Sequence, residues 1–174
     1  MLLRASALVF AFVLAAAVSG PALADPKKIA VFDFDLIDDS QEGEMNGVRA
    51  DETARLVLIS DELRKMLKAD GRYDAVDLTP IKADIERLRP MYKCNHCEDD
   101  LARQVGADYV MICTVQKVSN LILNLNLFIR DVKAEKIIQQ MSSDIRSNSD
   151  DSWLHGIHWV VKNQLLADKQ PGQQ

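Results

Sequence analysis

The sequence predicts a mixed α/β domain: one five-stranded sheet in the order β-α-β-α-α-β-β-β-α. A three-strand antiparallel meander stands at its C-terminal end, with a closing helix. Three observations lead there. Leu121–Arg130 alternates strictly, with Leu121, Leu123, Leu125, Leu127 and Ile129 on one face and Ile122, Asn124, Asn126, Phe128 and Arg130 on the other, the pattern of a half-buried strand. Lys28–Asp35 carries Ile29, Ala30, Val31 and Phe32 in an unbroken apolar run, as an interior strand does. Between these, apolar residues recur at helical spacing.

The first 24 residues read as a cleaved export signal. Arg4 supplies the positive start, Ala5–Val18 is apolar and uncharged, and Ala22-Leu23-Ala24 is a small-x-small cleavage site before Asp25. The apolar run falls short of the roughly 20 residues that span a bilayer. No Cys follows the cut, so no lipid anchor is expected, and no later run is apolar enough to cross a membrane. Residues 25–168 form a single domain and 169–174 a polar tail. The expected compartment is the Gram-negative periplasm.

After the first strand, Leu36–Thr53 reads as a long solvated connection rich in acid, with Asp38, Asp39, Glu42, Glu44, Asp51 and Glu52 against Arg49. A loop of that length is a candidate partner surface. Ala54–Lys68 is an amphipathic helix with Leu56, Ile59, Leu63, Met66 and Leu67 inward, stopped by Gly71. Tyr73–Leu78 is a short strand. Thr79 and Pro80 open a helix that runs to Arg89, with Pro90 ending it. A short helix follows from Glu98 to Val105. Asp108–Val118, Leu121–Asp131 and Lys136–Arg146 are the meander strands, joined by short turns. Asn148 or Ser149 caps the last helix, whose inward face carries Trp153, Ile157, Val160, Val161, Gln164 and Leu165.

The segments Lys28-Ile-Ala-Val-Phe-Asp-Phe, Tyr73-Asp-Ala-Val-Asp, Cys94-Asn-His-Cys, Gly106-Ala-Asp-Tyr-Val and Gln116-Lys-Val-Ser-Asn-Leu-Ile-Leu, with Trp153, resemble an uncharacterised family of secreted Gram-negative proteins. Some members of that family sit beside periplasmic quinoprotein alcohol dehydrogenases. More distantly, the plan is similar to the amino-terminal domain of the Tol-system propeller protein and to the periplasmic domain of the curli secretion channel. Gly106-Ala107-Asp108-Tyr109 matches their pattern, and Cys113 departs from it. The resemblance implies a protein that works by contact in the envelope and supplies no catalytic residues.

Charge excludes one partner class. The chain has a formal net charge of −5, and losing Arg4 makes the mature domain more acidic still. Without a basic stripe, nucleic acid is not an expected partner.

Two motifs suggest chemistry. Asp33-Phe-Asp35 at the end of an apolar strand mimics the first motif of haloacid-dehalogenase-type phosphatases, with Asp33 as nucleophile, Asp35 as acid, and Mg²⁺ between them. Leu36-Ile37 stand where that family has Gly-Thr, and the meander is the wrong topology. Solvated strand-end carboxylates are the preferred reading. Cys94-Asn-His-Cys97 could be a redox dithiol, a metal half-site or a static bridge. Its place after two helices favours the bridge. Cys113 is expected to be a buried free thiol. The expected function is a non-enzymatic periplasmic accessory or adaptor, possessing no cofactor or metal, that binds another envelope protein. Asn124, Asn126, Phe128 and Arg130 form the candidate docking face. The alternatives are a thiol–disulfide protein through Cys94/Cys97, a phosphatase through Asp33/Asp35, and a small-molecule carrier in the envelope.

Overall fold

The computed structural model describes residues 25–167. The signal segment and the polar tail from residue 169 lie outside them. The sheet has six strands: β1 (Lys27–Val31), β2 (Asp35–Asp38), β3 (Tyr73–Ala75), β4 (Tyr109–Ser119), β5 (Ile122–Asp131) and β6 (Lys136–Ile145). The helices are α1 (Gln41–Asn46), α2 (Ala50–Asp70), α3 (Lys82–Leu88), α4 (Cys97–Gln104) and α5 (Asp150–Val160). The spatial order is β3-β1-β4-β5-β6, with β2 also paired to β4. The first three strands are parallel to β4, and the meander is antiparallel.

The mixed class and the meander match expectation; the strand count is six, not five. The sixth strand, β2, lies in the stretch read as a solvated loop. It continues β1 along β4. Val31 pairs with Met111 and Asp35 with Thr114, so the first strand carries one residue more than its partner, a β-bulge at Phe32–Phe34. The bulge shifts the alternation by one. Val31 and Phe34 therefore point to one side of the sheet and Phe32 to the other.

One face of the sheet is fully covered. Ile59, Leu63 and Leu67 of α2 and Trp153, Ile157 and Val160 of α5 pack on Met111, Cys113, Leu125 and Leu127. Gly71 ends α2 at φ 80°, with its N–H on the Leu67 carbonyl. Gly156 lets α5 approach β6, since a Cβ there would lie 3.0 Å from Ile145 Cγ1. Ser149 caps α5, accepting from the Ser152 N–H. Cys113 is free and buried, as expected.

The opposite face is covered only over β1, the start of β4 and the end of β5. There Ile81, Met91, Leu101 and Ala102 pack on Ala30, Phe32, Val110 and Ile112. No helix among the described residues lies over the remainder.

α2 begins at Ala50 rather than Ala54, and the reason is electrostatic. Lys117 lies on the covered face with no exposed surface, and its Nζ donates to Glu52 Oε1 at 2.6 Å, Glu42 Oε2 at 3.1 Å and Asp38 Oδ2 at 3.3 Å. Burial pulls the ammonium down, but the Glu52 and Glu42 carboxylates outweigh it and leave its pKa raised. Three acids of the supposed loop are thus internal partners of one buried lysine.

Candidate functional site

The uncovered part of the second face forms a cleft of about 500 Å³. Its floor is Ile112, Thr114 and Gln116 of β4 with Asn126, Phe128 and Arg130 of β5; Ile37, Ile137, Tyr92 and Glu98 form the rim. Alternation along β4 and β5 places these residues together, because each residue two positions on returns to the same face. Phe128, Asn126 and Asn124 are half-buried. Asn124 Nδ2 donates to Asp144 across the β5–β6 pair at 2.8 Å. Ile122 is 60% exposed and Ile137 49% exposed.

Arg130 has a different role from its three neighbours. It is only 7% exposed. Its guanidinium donates to Asp99 Oδ1 and Oδ2 at 3.2 and 2.6 Å, to His96 Nδ1 at 2.8 Å and to the Glu135 carbonyl at 3.0 Å. Glu98 Oε1 lies 3.3 Å from Nε. The Asp99 hydrogen bond raises its pKa against the opposing effect of burial. Arg130 is therefore an internal anchor and not a free charge on the docking face.

The same anchor joins two features that are far apart in sequence. Cys94 and Cys97 stand at the start of α4, with sulfurs at bonding distance and Cα atoms 5.4 Å apart. Between them Asn95 and His96 hold φ values of 55° and 76°, a left-handed turn that costs non-glycine residues energy. His96 and Asp99 carry that turn onto Arg130. The cysteine loop and the polar face of β5 are thus one site.

The geometry disfavours both enzymatic readings. Glu98 Oε2 lies 3.0 Å from Cys94 Sγ, and a carboxylate there works against a thiolate. Glu98 also groups with Cys94 and Cys97, and His96 with Glu98 and Asp99, within metal-binding reach. Arg130 already neutralises the two carboxylates. The Asp33/Asp35 pair diverges at the bulge. Asp33 binds Arg64, whereas Asp35 is 6% exposed and accepts from the Met91 N–H at 2.6 Å. Burial raises the Asp35 pKa in spite of Arg89. One guanidinium, that of Arg89, lies 3.1 Å from Asp35 and 3.9 Å from Asp33, so an internal cation already serves both carboxylates. Asp35 is not the solvated strand-end group read from the sequence.

Sequence reasoning missed Ile37, Tyr92 and Ile137 as rim residues. Ile37 had a signal, an Ile within an acidic stretch; Tyr92 and Ile137 reach the cleft only through tertiary packing.

No curated protein matches the chain. Among solved structures, it is similar to the LpoB C-terminal domain from Escherichia coli, with 16% identity, TM-score 0.53, and coverage of 75% of this chain and 90% of that one. The LpoB C-terminal domain from Salmonella enterica matches at 16% identity and TM-score 0.52, over 73% of this chain and 87% of that one. TolB from Acinetobacter baumannii matches at 12% identity and TM-score 0.40, over 78% of this chain and 28% of that one. At 16% identity the likeness to the LpoB domains is one of fold alone. A family model described as "Protein of unknown function (DUF2380)" matches residues 27–165, nearly the whole described domain, and the chain belongs to that family, DUF3280.

Proposed function

We propose that this chain is an exported, non-catalytic accessory protein that docks another envelope protein on the uncovered half of its sheet. One observation carries the reading. Asn124, Asn126 and Phe128 line an open face with exposed Ile122 and Ile137 beside it, and no helix among the described residues covers them. A monomer seldom leaves such an apolar-rimmed surface unused. The amides of the floor can hydrogen-bond a partner backbone, and Phe128 and Ile137 can receive an apolar side chain. The export signal, the Cys94–Cys97 bridge and the fold shared with the LpoB domains support an envelope setting. The resemblance to proteins encoded beside quinoprotein alcohol dehydrogenases makes periplasmic alcohol oxidation the first pathway to test.

The test is site-specific photocrosslinking in cells that express the gene. A crosslinker at Asn126 is expected to capture one envelope protein, and the same group at His155, on the outer side of α5, is not. Equal capture from both positions, or none from Asn126, overturns the reading. A deletion strain assayed for periplasmic alcohol oxidation tests the pathway separately.

A further inference from the structure

A second cleft lies away from the docking face, and chain topology explains it. The first strand leads into α2, which packs on the covered face; its neighbour β3 leads into α3, on the opposite face. Where adjacent parallel strands send their connections to opposite faces, a crevice opens beyond their C-terminal ends, and ligands of α/β proteins bind in such crevices. β3 ends at Ala75, whereas the first strand continues to Asp38. The space left between α2 and α3 measures about 400 Å³.

Its walls are apolar and its charge is one-sided. Val57, Val76 and Ile85 line it, and Val57 is 51% exposed in mid-helix. Four carboxylates border it, Asp33, Asp61, Asp77 and Glu86, against Arg64 and Lys82. Arg64 is already committed to Asp33 and Asp61. Asp77 Oδ1 accepts from Thr79 N and Oγ1, which leaves Oδ2 facing no donor among the hydrogen bonds of the described residues, and Glu86 makes none. Lys82 makes no ion pair among the described residues either, so the unspent charge is two carboxylates against one ammonium, a negative balance beside an apolar wall.

From this placement we propose that the crevice between α2 and α3 binds a small organic cation: a protonated amine on an apolar body, with the ammonium between Asp77 and Glu86 and the body against Val57, Val76 and Ile85. Carboxylate and phosphate ligands are disfavoured by the same charges. This site is independent of the docking face.

Methyl-detected NMR titration of the folded protein tests it, with phenethylamine as probe and phenylpropionate, of similar shape and opposite charge, as control. Saturable shifts are expected at the Val57, Val76 and Ile85 methyls with the amine alone. The double variant Asp77→Asn/Glu86→Gln is expected to weaken binding about tenfold, two surface charge contacts being worth that much together. The amide oxygen that replaces the Asp77 carboxylate can still accept from Thr79, so the turn survives. Val57→Ser, on an exposed position, is expected to weaken binding by removing part of the apolar wall without adding charge. The proposal falls if the amine gives no saturable shifts, if phenylpropionate shifts the same methyls equally, or if the double variant binds as wild type does.

Discussion

β5 presents two faces built on one backbone, and they do opposite things. On one, Leu123, Leu125, Leu127 and Ile129 are at most 1% exposed beneath α2 and α5. On the other, Asn124, Asn126 and Phe128 stay half-buried beside an open cleft. The strand is the same, and so are its hydrogen-bonded neighbours. What differs is the cover: a 21-residue and an 11-residue helix on one side, and short helices that stop over β1, early β4 and the end of β5 on the other. Stability is concentrated on the first face, and the second stays open beside the cleft.

Substitutions that distinguish the faces test this contrast, and the largest effects belong to the covered side. Trp153→Ala is expected to cost about 3–5 kcal/mol in urea unfolding, and Leu125→Ala about 2–5 kcal/mol. Lys117→Met leaves the buried Glu52 carboxylate with only Arg49, 4.0 Å away, as a cation and is expected to cost about 3–5 kcal/mol. Adding Glu52→Leu is expected to recover most of that loss; no recovery would show that the network is not the cause.

The bridge comes next. Closing so short a loop contributes about 2 kcal/mol, which Cys94→Ser/Cys97→Ser is expected to lose. Thiol titration of the unreduced protein in denaturant is expected to find Cys113 alone; three reactive thiols would refute the bridge.

Proton linkage separates the two carboxylates at the ends of β2. Burial raises the Asp38 pKa, but the Ser40 hydroxyl and N–H, with Lys117, outweigh it and hold the group below its ordinary value. Its stabilising effect is present above the unfolded value of 3.8 and is lost as pH falls through the lowered folded value. Asp35 is shifted upward, so the fold binds its proton more tightly and gains relative stability as pH falls toward 3.8. Between neutral pH and about pH 2.5, Asp38→Asn is therefore expected to lose less stability than wild type and Asp35→Asn more, by urea titration at both pH values. The smallest effect is on the open face: Asn126→Ala is expected to stay within about 0.5 kcal/mol of wild type. A cost as large as that of Leu125→Ala would erase the contrast between faces.

The meander was readable because its signal is local. Leu123 to Ile129 alternate without a break, and the predicted strand ends lie within a residue of the observed ones. β2 was not readable. Asp-Leu-Ile-Asp is four residues with two charges, and it becomes a strand only because β4 pairs with it and Lys117, Arg89 and Met91 receive its carboxylates. The hint was Lys117 itself, which falls in phase with Cys113 and Val115 on an inward face. A lysine there demands buried acid, and the acidic stretch that reads as solvated loop supplies it. At the candidate site, Asn124, Asn126 and Phe128 followed from periodicity. The fate of Arg130 did not, since Asp99 and His96 reach it from another part of the chain.

The parallel pairing of Ile29 with Tyr109 bears on how the domain assembles. A chain that emerges amino-terminus first presents the apolar Ile29–Phe34 segment long before its partner strand exists. β4, β5 and β6 pair through two tight hairpins and need nothing upstream to find their register. Local pairings close quickly and distant ones slowly. The meander and α5 are therefore expected to form first, as a template onto which the first strand docks. Pulse-labelled hydrogen exchange during refolding is expected to protect Leu123–Ile129 amides before those of Ile29–Val31; simultaneous protection would rule that order out. Until docking, the segment Ile29–Phe34 is a sticky unpaired strand, and the part of the chain for which a holding chaperone would have most use.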